Sequence, residues 1–215
     1  MSLIQSWCNT LLNDEARYQY TMAIQNMKEL CPEMMSRKID RANVQQAFVC
    51  QFVASHYVPG YNVLSVGCYE DTAYETLRKM EIPVLGIDPM VDGNTLDSFF
   101  WKSDPKRLFN IIFSTSVIEH VDDDETFIRQ ICNLLKPGGY ACITMDFLDS
   151  YSPGQEMPAT AVRFYTESDL EHRLRDIIES NGCKYLGDTN WTGTPDFWYQ
   201  GHTYSLATMV FYKEI

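Results

Sequence analysis

Short apolar segments alternate with helical ones from residue 61 onwards, and this alternation restricts the fold more than any other feature of the chain. Strands that carry apolar side chains on both faces are typical of a parallel sheet covered by helices on both sides. We therefore predict a doubly wound, mostly parallel α/β fold. The predicted strands are YNVLSVG at 61–67, PVLGID at 83–88, FNIIFS at 109–114, YACITM at 140–145, and two final strands at 184–186 and 205–212.

Helices are predicted between these strands. Asp71 or Thr72 can cap a helix that runs to about residue 80, because their side-chain oxygens accept hydrogen bonds from first-turn amides. Residues 124–135 carry apolar side chains on one side and form a second helix. Thr166 and Asp169 stand at capping-box spacing and begin a third helix that reaches about residue 180.

Residues 1–57 differ in texture from the rest of the chain. They contain no glycine, and apolar residues recur in them at helical spacing. Pro32 interrupts this region and Pro59-Gly60 signals a turn after it. We predict a helical N-terminal extension over 1–57 and an α/β domain over 58–215. The helical repeats are Leu3, Trp7 and Leu11, followed by Val44, Phe48 and Phe52.

The connection after the second predicted strand is short. Only 20 residues separate Asp88 from Phe109. A full helix, a further strand and two loops barely fit into this length. We therefore expect a shortened or missing helix in this segment.

The charge balance excludes several partners. The chain has 17 basic and 29 acidic residues, a formal net charge of −12, whereas general binding to nucleic acid or an anionic membrane needs a positive field. No run approaches the roughly 20 apolar residues of a membrane span, and the N-terminus does not resemble a signal peptide, so we expect a cytoplasmic protein. Seven scattered cysteines without a CxxC pair and four distant histidines predict no metal site. The oligomeric state stays open.

Ligands of open α/β sheets bind beyond the carboxyl ends of the strands, where the strand order reverses. The first strand ends in VGCYED, which lacks the GxGxxG pattern and so disfavours a dinucleotide-binding dehydrogenase. Gly67 still allows a ligand to approach the backbone closely. About twenty residues later, Asp88 has two acceptor oxygens that suit the vicinal hydroxyls of a ribose. The alternative is that Asp88, which precedes Pro89, is a turn residue.

The chain resembles the class I S-adenosylmethionine-dependent methyltransferases in three segments: VLSVGCYED, VLGIDP and FNIIFSTSVIEHVDDDETFIRQICNLLKPGGYACITMDF. The resemblance covers about residues 60–187 and implies a seven-stranded sheet with S-adenosylmethionine as the cofactor. A weaker similarity in RFYTESDL and PDFWYQGHTYSLATMVFYK points to a subgroup that modifies sugars or surface glycans. The glycine-rich loop departs from the family pattern, because Ser65 replaces an acidic residue and Tyr69 and Asp71 replace glycines.

The resemblance implies roles for residues at the strand ends. Asp88 would hold the ribose, Gly67 would lie against the methionine part of the cofactor, and Leu96 would lie near adenine. Ser114 and Thr115 would offer backbone groups to the methionine end. The implied cofactor-binding residues are Gly67, Cys68, Tyr69, Asp88, Pro89, Thr95, Leu96, Ser114 and Thr115.

Glu119 and His120 are the candidate catalytic residues. They begin the helix after the strand that ends at Ser114, beside the transferable methyl group that the resemblance implies. His120 can act as a general base on a substrate hydroxyl, because imidazole accepts a proton near neutral pH. The alternative is that both residues hold loops together through hydrogen bonds. The acidic run at 122–124 is expected to be a solvated helix start.

Candidate substrate-binding residues lie in two places. The polar stretch 149–163 is predicted as a lid, with Arg163 for a carboxylate or phosphate group and Tyr165 for stacking on a sugar. The alternatives are an ion pair of Arg163 with Asp146 or Glu167, and packing of Tyr165 in the core.

If the N-terminal helices fold over the sheet edge, Arg37 and Arg41 are predicted to join the lid, and Arg41 to reach the carboxylate of the cofactor. The alternative is that both arginines lie on a solvated helix face.

The resemblance implies direct methyl transfer from S-adenosylmethionine to an oxygen or nitrogen atom of a small-molecule or sugar acceptor. Proximity and orientation would supply most of the catalysis. The atypical VGCYED loop leaves a second possibility, a catalytically inactive protein that binds the cofactor or serves as a scaffold.

Overall fold

The computed structural model describes residues 7–104 and 106–215. Seven strands form the sheet in this part of the chain, and helices flank it. Strand order is β2-β1-β3-β4-β7-β5, with β6 paired to β7 outside this path. The strands are β1 Val63–Val66, β2 Val84–Ile87, β3 Phe109–Thr115, β4 Leu135–Phe147, β5 Cys183–Tyr185, β6 Phe197–Tyr199 and β7 His202–Lys213.

The first four strands run parallel, and β7 runs antiparallel to both β4 and β5. Val63 of β1 pairs with Val84 on one side and with Ile111 on the other. The chain moves outward from β1 to β2 and then returns to β3 on the opposite side of β1. This arrangement confirms the prediction of a doubly wound, mostly parallel seven-stranded sheet.

Helices cover both faces of the sheet. Their bounds are α1 Asp14–Gln19, α2 Thr21–Leu30, α3 Pro32–Met35, α4 Asn43–His56, α5 Thr72–Lys79, α6 Leu96–Lys102, α7 Asp124–Leu134 and α8 Arg175–Ser180. Single 3-10 turns lie at Asp40–Ala42 and Ile118–His120, and a π-helical turn, Asp169–Leu174, leads into α8. The predicted caps are present: Asp71 accepts from the Tyr74 amide at 2.7 Å, and Thr166 and Asp169 exchange capping bonds.

Alternate residues of the central strand β3 face the two sides of the sheet and divide the hydrophobic core. Ile111 and Phe113 belong to a cluster with the N-terminal helices and α5, whereas Ile112 belongs to a cluster with α6, α7 and α8. All three side chains are fully buried. A strand buried on both faces cannot alternate apolar with polar residues, which explains the continuous apolar run in the sequence.

The connection from β2 to β3 contains one helix of seven residues, α6. The expectation of a shortened helix is therefore confirmed. Thr95 caps this helix by accepting a hydrogen bond from the Ser98 amide at 3.1 Å. The short crossover leaves the carboxyl end of β2 open to the neighbouring cavity.

The N-terminal helical pattern is only partly confirmed. Leu3 lies outside the described residues, and Trp7 and Leu11 do not lie in an α-helix, because the segment around them pairs with β7. The Leu12 amide donates to the Leu206 carbonyl at 2.7 Å. The second repeat does form a helix, α4, and Phe48 and Phe52 are fully buried in it.

Asn9 anchors the N-terminal segment to the sheet. Its side-chain oxygen accepts from the Val210 amide at 2.7 Å, and its side-chain nitrogen donates to the Leu186 carbonyl at 3.1 Å. Asn9 is fully buried and has a backbone φ of 56°, a left-handed conformation that asparagine tolerates better than most residues. Because Asn9 combines burial, two side-chain hydrogen bonds and a left-handed backbone conformation, its replacement should lower the stability of the fold.

Asn9→Ala should therefore destabilise the fold. The substitution leaves a buried amide and a buried carbonyl without partners, and we expect the free energy of unfolding to fall by about 2–4 kcal/mol. Urea unfolding followed by circular dichroism measures this change. Asn26→Ala, at an exposed position of α2, is the matched control and should change stability by less than about 0.5 kcal/mol. Equal stability of the two variants would show that Asn9 is not an anchor.

Candidate functional site

Three adjoining cavities lie at the carboxyl ends of β1 and β3, where the strand order reverses. The first cavity, of about 570 Å³, is lined by Gly67, Asp88 and Leu96 among others. The second, of about 330 Å³, shares Gly67 and Asp88 with the first and adds the loop after β1. The third, of about 500 Å³, extends over the ends of β4 and β7. His120 lines all three, so the cavities meet at its side chain.

Gly67 allows the loop after β1 to lie close to the turn after β3. Its φ is +84°, and a Cβ atom on it would lie 2.3 Å from Cγ2 of Val117. The Gly67 and Cys68 amides both donate to the Ile87 carbonyl, at 2.9 and 3.3 Å. These bonds hold the backbone at the end of β1 against β2. Only glycine fits at position 67, because any Cβ atom there would clash with Val117.

Asp88 faces the first and second cavities from the end of β2. Its Oδ1 accepts from the Met90 amide at 2.7 Å and its Oδ2 from the Tyr69 amide at 3.2 Å. Each carboxylate oxygen can accept a second hydrogen bond, so both remain able to bind a vicinal diol. Three further predicted residues, Pro89, Thr95 and Leu96, line the first cavity.

The second cavity places a carboxyl group opposite a cation. Oδ1 of Asp71 accepts from the Tyr74 amide, whereas its buried Oδ2 has no hydrogen-bond donor at normal geometry in the described chain. Burial raises the pKa of Asp71 to about 6. Lys38 also lines this cavity, and its Nζ donates to the backbone carbonyl of Glu70. Tyr69 and Thr115 complete the wall as predicted.

Two of the implied cofactor residues lie behind the cavity walls. Cys68 is buried, and burial raises the pKa of its thiol to about 11, so the thiol is not an activated nucleophile. Ser114 is fully buried, and its Oγ donates to the Val66 carbonyl at 2.9 Å. Both side chains hold strand ends in position and do not line any of the three cavities.

The arginines of the N-terminal extension do not take the predicted positions. Arg41 pairs with Asp14 at 2.7 Å and does not line the three cavities. Arg37 lines the third cavity, but its guanidinium pairs with Glu70 at 2.9 Å. Lys38 is better placed than either arginine to bind the carboxylate of the cofactor, because it lines both the second and the third cavity.

The orientation of His120 is fixed by the segment after β4. Its Nδ1 lies 2.7 Å from the Thr160 carbonyl, and because a carbonyl can only accept, Nδ1 carries the proton. In the neutral imidazole, Nε2 is then the acceptor atom. The Val162 amide also donates to the Glu119 carbonyl at 2.9 Å, which ties the same segment to the turn that carries His120.

Glu119 and Asp146 form a buried carboxyl pair in the wall of the third cavity. Burial, reinforced by the Asp146 carboxylate, raises the pKa of Glu119 well above its usual range. Burial also raises the pKa of Asp146 to about 7, although the Tyr204 hydroxyl offsets part of this effect. At neutral pH the pair therefore holds at least one proton.

Part of the predicted lid lines the third cavity, but Arg163 and Tyr165 lie elsewhere. The lid residues that line it are Pro158, Thr160 and Ala161. Tyr165 is fully buried and its hydroxyl donates to Oδ2 of Asp124 at 2.9 Å. Arg163 pairs with the same carboxylate at 2.8 Å and also donates to the Val121 and Asp122 carbonyls. These two side chains therefore form a structural cluster, and neither of them lines one of the three cavities.

Asp124 itself is buried, which corrects the expectation of a solvated acidic run. Burial alone would raise its pKa, but ion pairs with Arg173 and Arg163 outweigh burial and hold the pKa below its usual range. Asp123 is the residue that caps α7, accepting from the Thr126 amide at 2.9 Å.

Several residues of the site were not predicted from the sequence. Lys38 and Asn43 come from the N-terminal extension and Tyr204 from the C-terminal segment of weaker similarity, and no local pattern distinguishes them. Asp146 could have been predicted, because it directly follows a predicted strand at the edge of the sheet where ligands bind.

Within the described ranges, no group of three histidine, cysteine, aspartate or glutamate side chains could hold a metal ion. The same ranges contain no helix of the length and hydropathy needed to cross a membrane.

The carboxyl pair predicts an unusual dependence of stability on pH. Asp146 keeps its proton in the folded state up to about pH 7, but an unfolded aspartate loses it near pH 3.9. Between these values the folded state binds more protons, so the free energy of unfolding contributed by Asp146 falls as pH rises, by at most about 1.4 kcal/mol per unit. Asp146→Asn cannot titrate and should be more stable relative to wild type at pH 7 than at pH 5, by about 1–3 kcal/mol.

Urea unfolding at both pH values measures this difference. Asp188→Asn, at an exposed position, controls for the loss of one negative charge. A stability difference between Asp146→Asn and wild type that is the same at pH 5 and pH 7 would contradict the raised pKa.

A family model of the methyltransferase domain matches residues 19–177 of the chain. The human mitochondrial ubiquinone biosynthesis O-methyltransferase is 36% identical over 106 residues, which are 40% of this chain and 28% of that protein. A probable S-adenosylmethionine-dependent methyltransferase of Mycolicibacterium smegmatis is 24% identical over 144 residues, 60% of this chain and 54% of that protein. The matches thus span less than two thirds of the length of these curated relatives.

Solved structures share the fold. A putative sarcosine dimethylglycine methyltransferase from Galdieria sulphuraria superposes with a TM-score of 0.56 at 12% identity, over 94% of this chain and 99% of that chain. The 1,6-didemethyltoxoflavin-N1-methyltransferase of Burkholderia thailandensis, whose structure holds S-adenosylhomocysteine, has a TM-score of 0.51 at 16% identity, over 91% and 90%. These likenesses confirm the predicted class I Rossmann-like architecture.

The residues at the strand ends fit S-adenosylmethionine. The open carboxylate oxygens of Asp88 suit its ribose, and the unsatisfied Oδ2 of Asp71 together with Lys38 suits the ammonium and carboxylate groups of its methionine end. The family match and this fit agree with the predicted enzyme class and cofactor. The chain belongs to the methyltransferase-domain family, with the fold of class I S-adenosylmethionine-dependent methyltransferases.

Proposed function

We propose that the chain transfers a methyl group from S-adenosylmethionine to a small-molecule acceptor in the third cavity. One observation carries this proposal: the two cavities that suit the cofactor adjoin a third, and His120 lies where all three meet. Methyl transfer needs donor and acceptor in line and in contact, and adjoining cavities supply that proximity.

In this proposal the residues of the chain mainly bind and orient the cofactor and the acceptor. Asp88 holds the ribose, Leu96 lies against the adenine, and Asp71 and Lys38 hold the charged ends of the methionine part. S-adenosylmethionine supplies a methyl group activated by its positively charged sulfur. His120, with Nδ1 bound to the Thr160 carbonyl, directs an unprotonated Nε2 that can take a proton from the acceptor.

The acceptor atom is proposed to be oxygen or nitrogen. Several relatives are named as O-methyltransferases, which supports oxygen. A sugar is the second proposed acceptor class, since Tyr199 lines the third cavity and offers an aromatic surface for stacking. The net charge of −12 argues against a nucleic acid as acceptor. A cytoplasmic location stays a prediction, and the human relative is named as mitochondrial.

Asp88→Ala should weaken cofactor binding. Loss of the charged acceptor of the ribose hydroxyls removes about 1.5–3 kcal/mol, so the Kd for S-adenosylmethionine should rise by about 10- to 150-fold. Isothermal titration calorimetry measures the Kd. Asp188→Ala removes an exposed carboxylate that lines none of the three cavities and should leave the Kd unchanged. If wild-type protein shows no binding at millimolar cofactor, the proposed function is wrong.

Methyl transfer is tested with S-adenosylmethionine labelled in the methyl group and a panel of phenols, amines and sugars. Transfer to at least one acceptor is expected, and His120→Gln should lower its rate by about 10²–10⁴ without changing the Kd of the cofactor. A lower melting temperature with weakened cofactor binding would instead show that His120 only holds the loop. Tight cofactor binding without transfer to any panel member would favour an inactive binding protein.

A further inference from the structure

Two buried acceptor atoms of residues that line the third cavity lack hydrogen-bond donors within the part of the chain that the structure describes. Oε2 of Glu119 and Oδ1 of Asn43 are both buried and have no hydrogen-bond partner among residues 7–104 and 106–215. Their residues are 1% exposed each. The carboxyl group of Asp146 lines the same cavity at 8% exposure. Unsatisfied buried polar atoms are rare in folded proteins, because each costs about 1–3 kcal/mol.

These oxygens come from three separate elements. Asn43 is the first residue of α4, Glu119 lies in the turn after β3, and Asp146 lies near the end of β4. Since α4 and β4 approach the cavity independently, the acceptor-rich wall is not a by-product of one loop conformation. Once the carboxyl pair has lost its proton, a ligand that satisfies the wall must bring several donors.

A primary ammonium group meets this requirement, because it has three N–H donors and no acceptor. Its positive charge also suits a carboxyl pair that can release a proton. Phe197, Tyr199 and Tyr204 line the same cavity and offer aromatic surface, which attracts cations through their ring faces. A hydroxyl group has one donor and would leave part of the wall unsatisfied.

Cations already present at the rim do not satisfy this wall. Arg37 and Lys38 line the cavity, but both are engaged with Glu70 through ion pairs of 2.9 and 3.8 Å. Neither forms an ion pair with Glu119 or Asp146 in the described structure. The carboxyl groups of the wall therefore remain available to bind a cationic ligand.

We propose that the third cavity binds a primary ammonium group of the acceptor through Asn43, Glu119 and Asp146. This inference rests on the proposed function, since it names the chemical class of the acceptor. The ammonium belongs to a simple amine or to an amino sugar. Binding should displace the proton that the carboxyl pair holds.

The titratable groups around the pair set the pH dependence of binding. Tyr204 of β7 faces Asp146, Tyr165 lies near Glu119, and His120 follows Glu119 in the turn. Arg37 and Lys38 stand at the rim beside Glu70. Because the carboxyl pair ionises as pH rises, an ammonium ligand should bind more tightly at pH 8 than at pH 6.

The experiment compares amines with neutral alcohols of matched shape. Binding to wild-type protein saturated with S-adenosylhomocysteine is measured by calorimetry for phenethylamine against 2-phenylethanol, and for glucosamine against glucose. We expect at least one amine to bind at least tenfold more tightly than its partner, and the better pair identifies a simple amine or an amino sugar. For phenethylamine, the Kd should fall from pH 6 to pH 8, and buffers of different ionisation enthalpy should show proton release.

Variants test the wall directly. Asp146→Asn and Glu119→Gln should each weaken binding of the preferred amine at least tenfold while the Kd for S-adenosylhomocysteine stays within twofold of wild type. Asp188→Asn is the control and should change neither Kd. Equal binding of amine and alcohol in both pairs, or unchanged amine binding in both variants, would overturn the ammonium site while leaving the proposed function intact. Failure of wild-type protein to bind S-adenosylhomocysteine would overturn the proposed function, and this inference with it.

Discussion

The buried carboxylate of Asp124 joins the parts of the chain that enclose the site. Arg163, Arg173 and Tyr165 all bind this one group, at distances of 2.8 to 3.0 Å. Breaking a buried ion pair by removing one partner typically costs about 3–5 kcal/mol, because the other charge stays buried. The cluster therefore fixes the segment after β4, and this segment holds His120 through the Thr160 carbonyl. The geometry at the meeting point of the cavities depends on an interaction that touches no cavity.

Burial raises the pKa values of acidic groups mainly at one edge of the sheet. The pKa values of Asp71, Glu119 and Asp146 are all raised, and desolvation is the largest cause in each case. Acidic groups at exposed ion pairs show the opposite direction, as Glu70 does beside Arg37. All three carboxyl groups with a raised pKa line the second or the third cavity. Such clustering of perturbed groups is typical of functional sites.

The fold and part of the site could be predicted because their signals are local. Strand ends are visible in the apolar pattern, so Gly67 and Asp88 were found together with the helix caps. The direction of a side chain at a strand end could not be predicted from the same pattern. Cys68 and Ser114 lie behind the cavity walls, although both were predicted to bind the cofactor. Asn43 and Tyr204 could not be found at all, because α4 and β7 reach the cavity only through tertiary packing. The Asp124 cluster was missed for a related reason, since a run of three aspartates does not show which of them is buried.

Two of the three acceptor groups of the third cavity lie on rigid elements. Asn43 begins a 14-residue helix, α4, whose apolar residues are buried against the sheet. Asp146 lies in the ladder between β4 and β7, which runs without a register shift from Tyr140 opposite Tyr212 to Phe147 opposite Ser205. A flexible loop would turn these groups towards water or towards each other's donors. Because α4 and the β4–β7 ladder fix the backbones of Asn43 and Asp146, the wall keeps its acceptors in place for a ligand and loses little entropy when one binds.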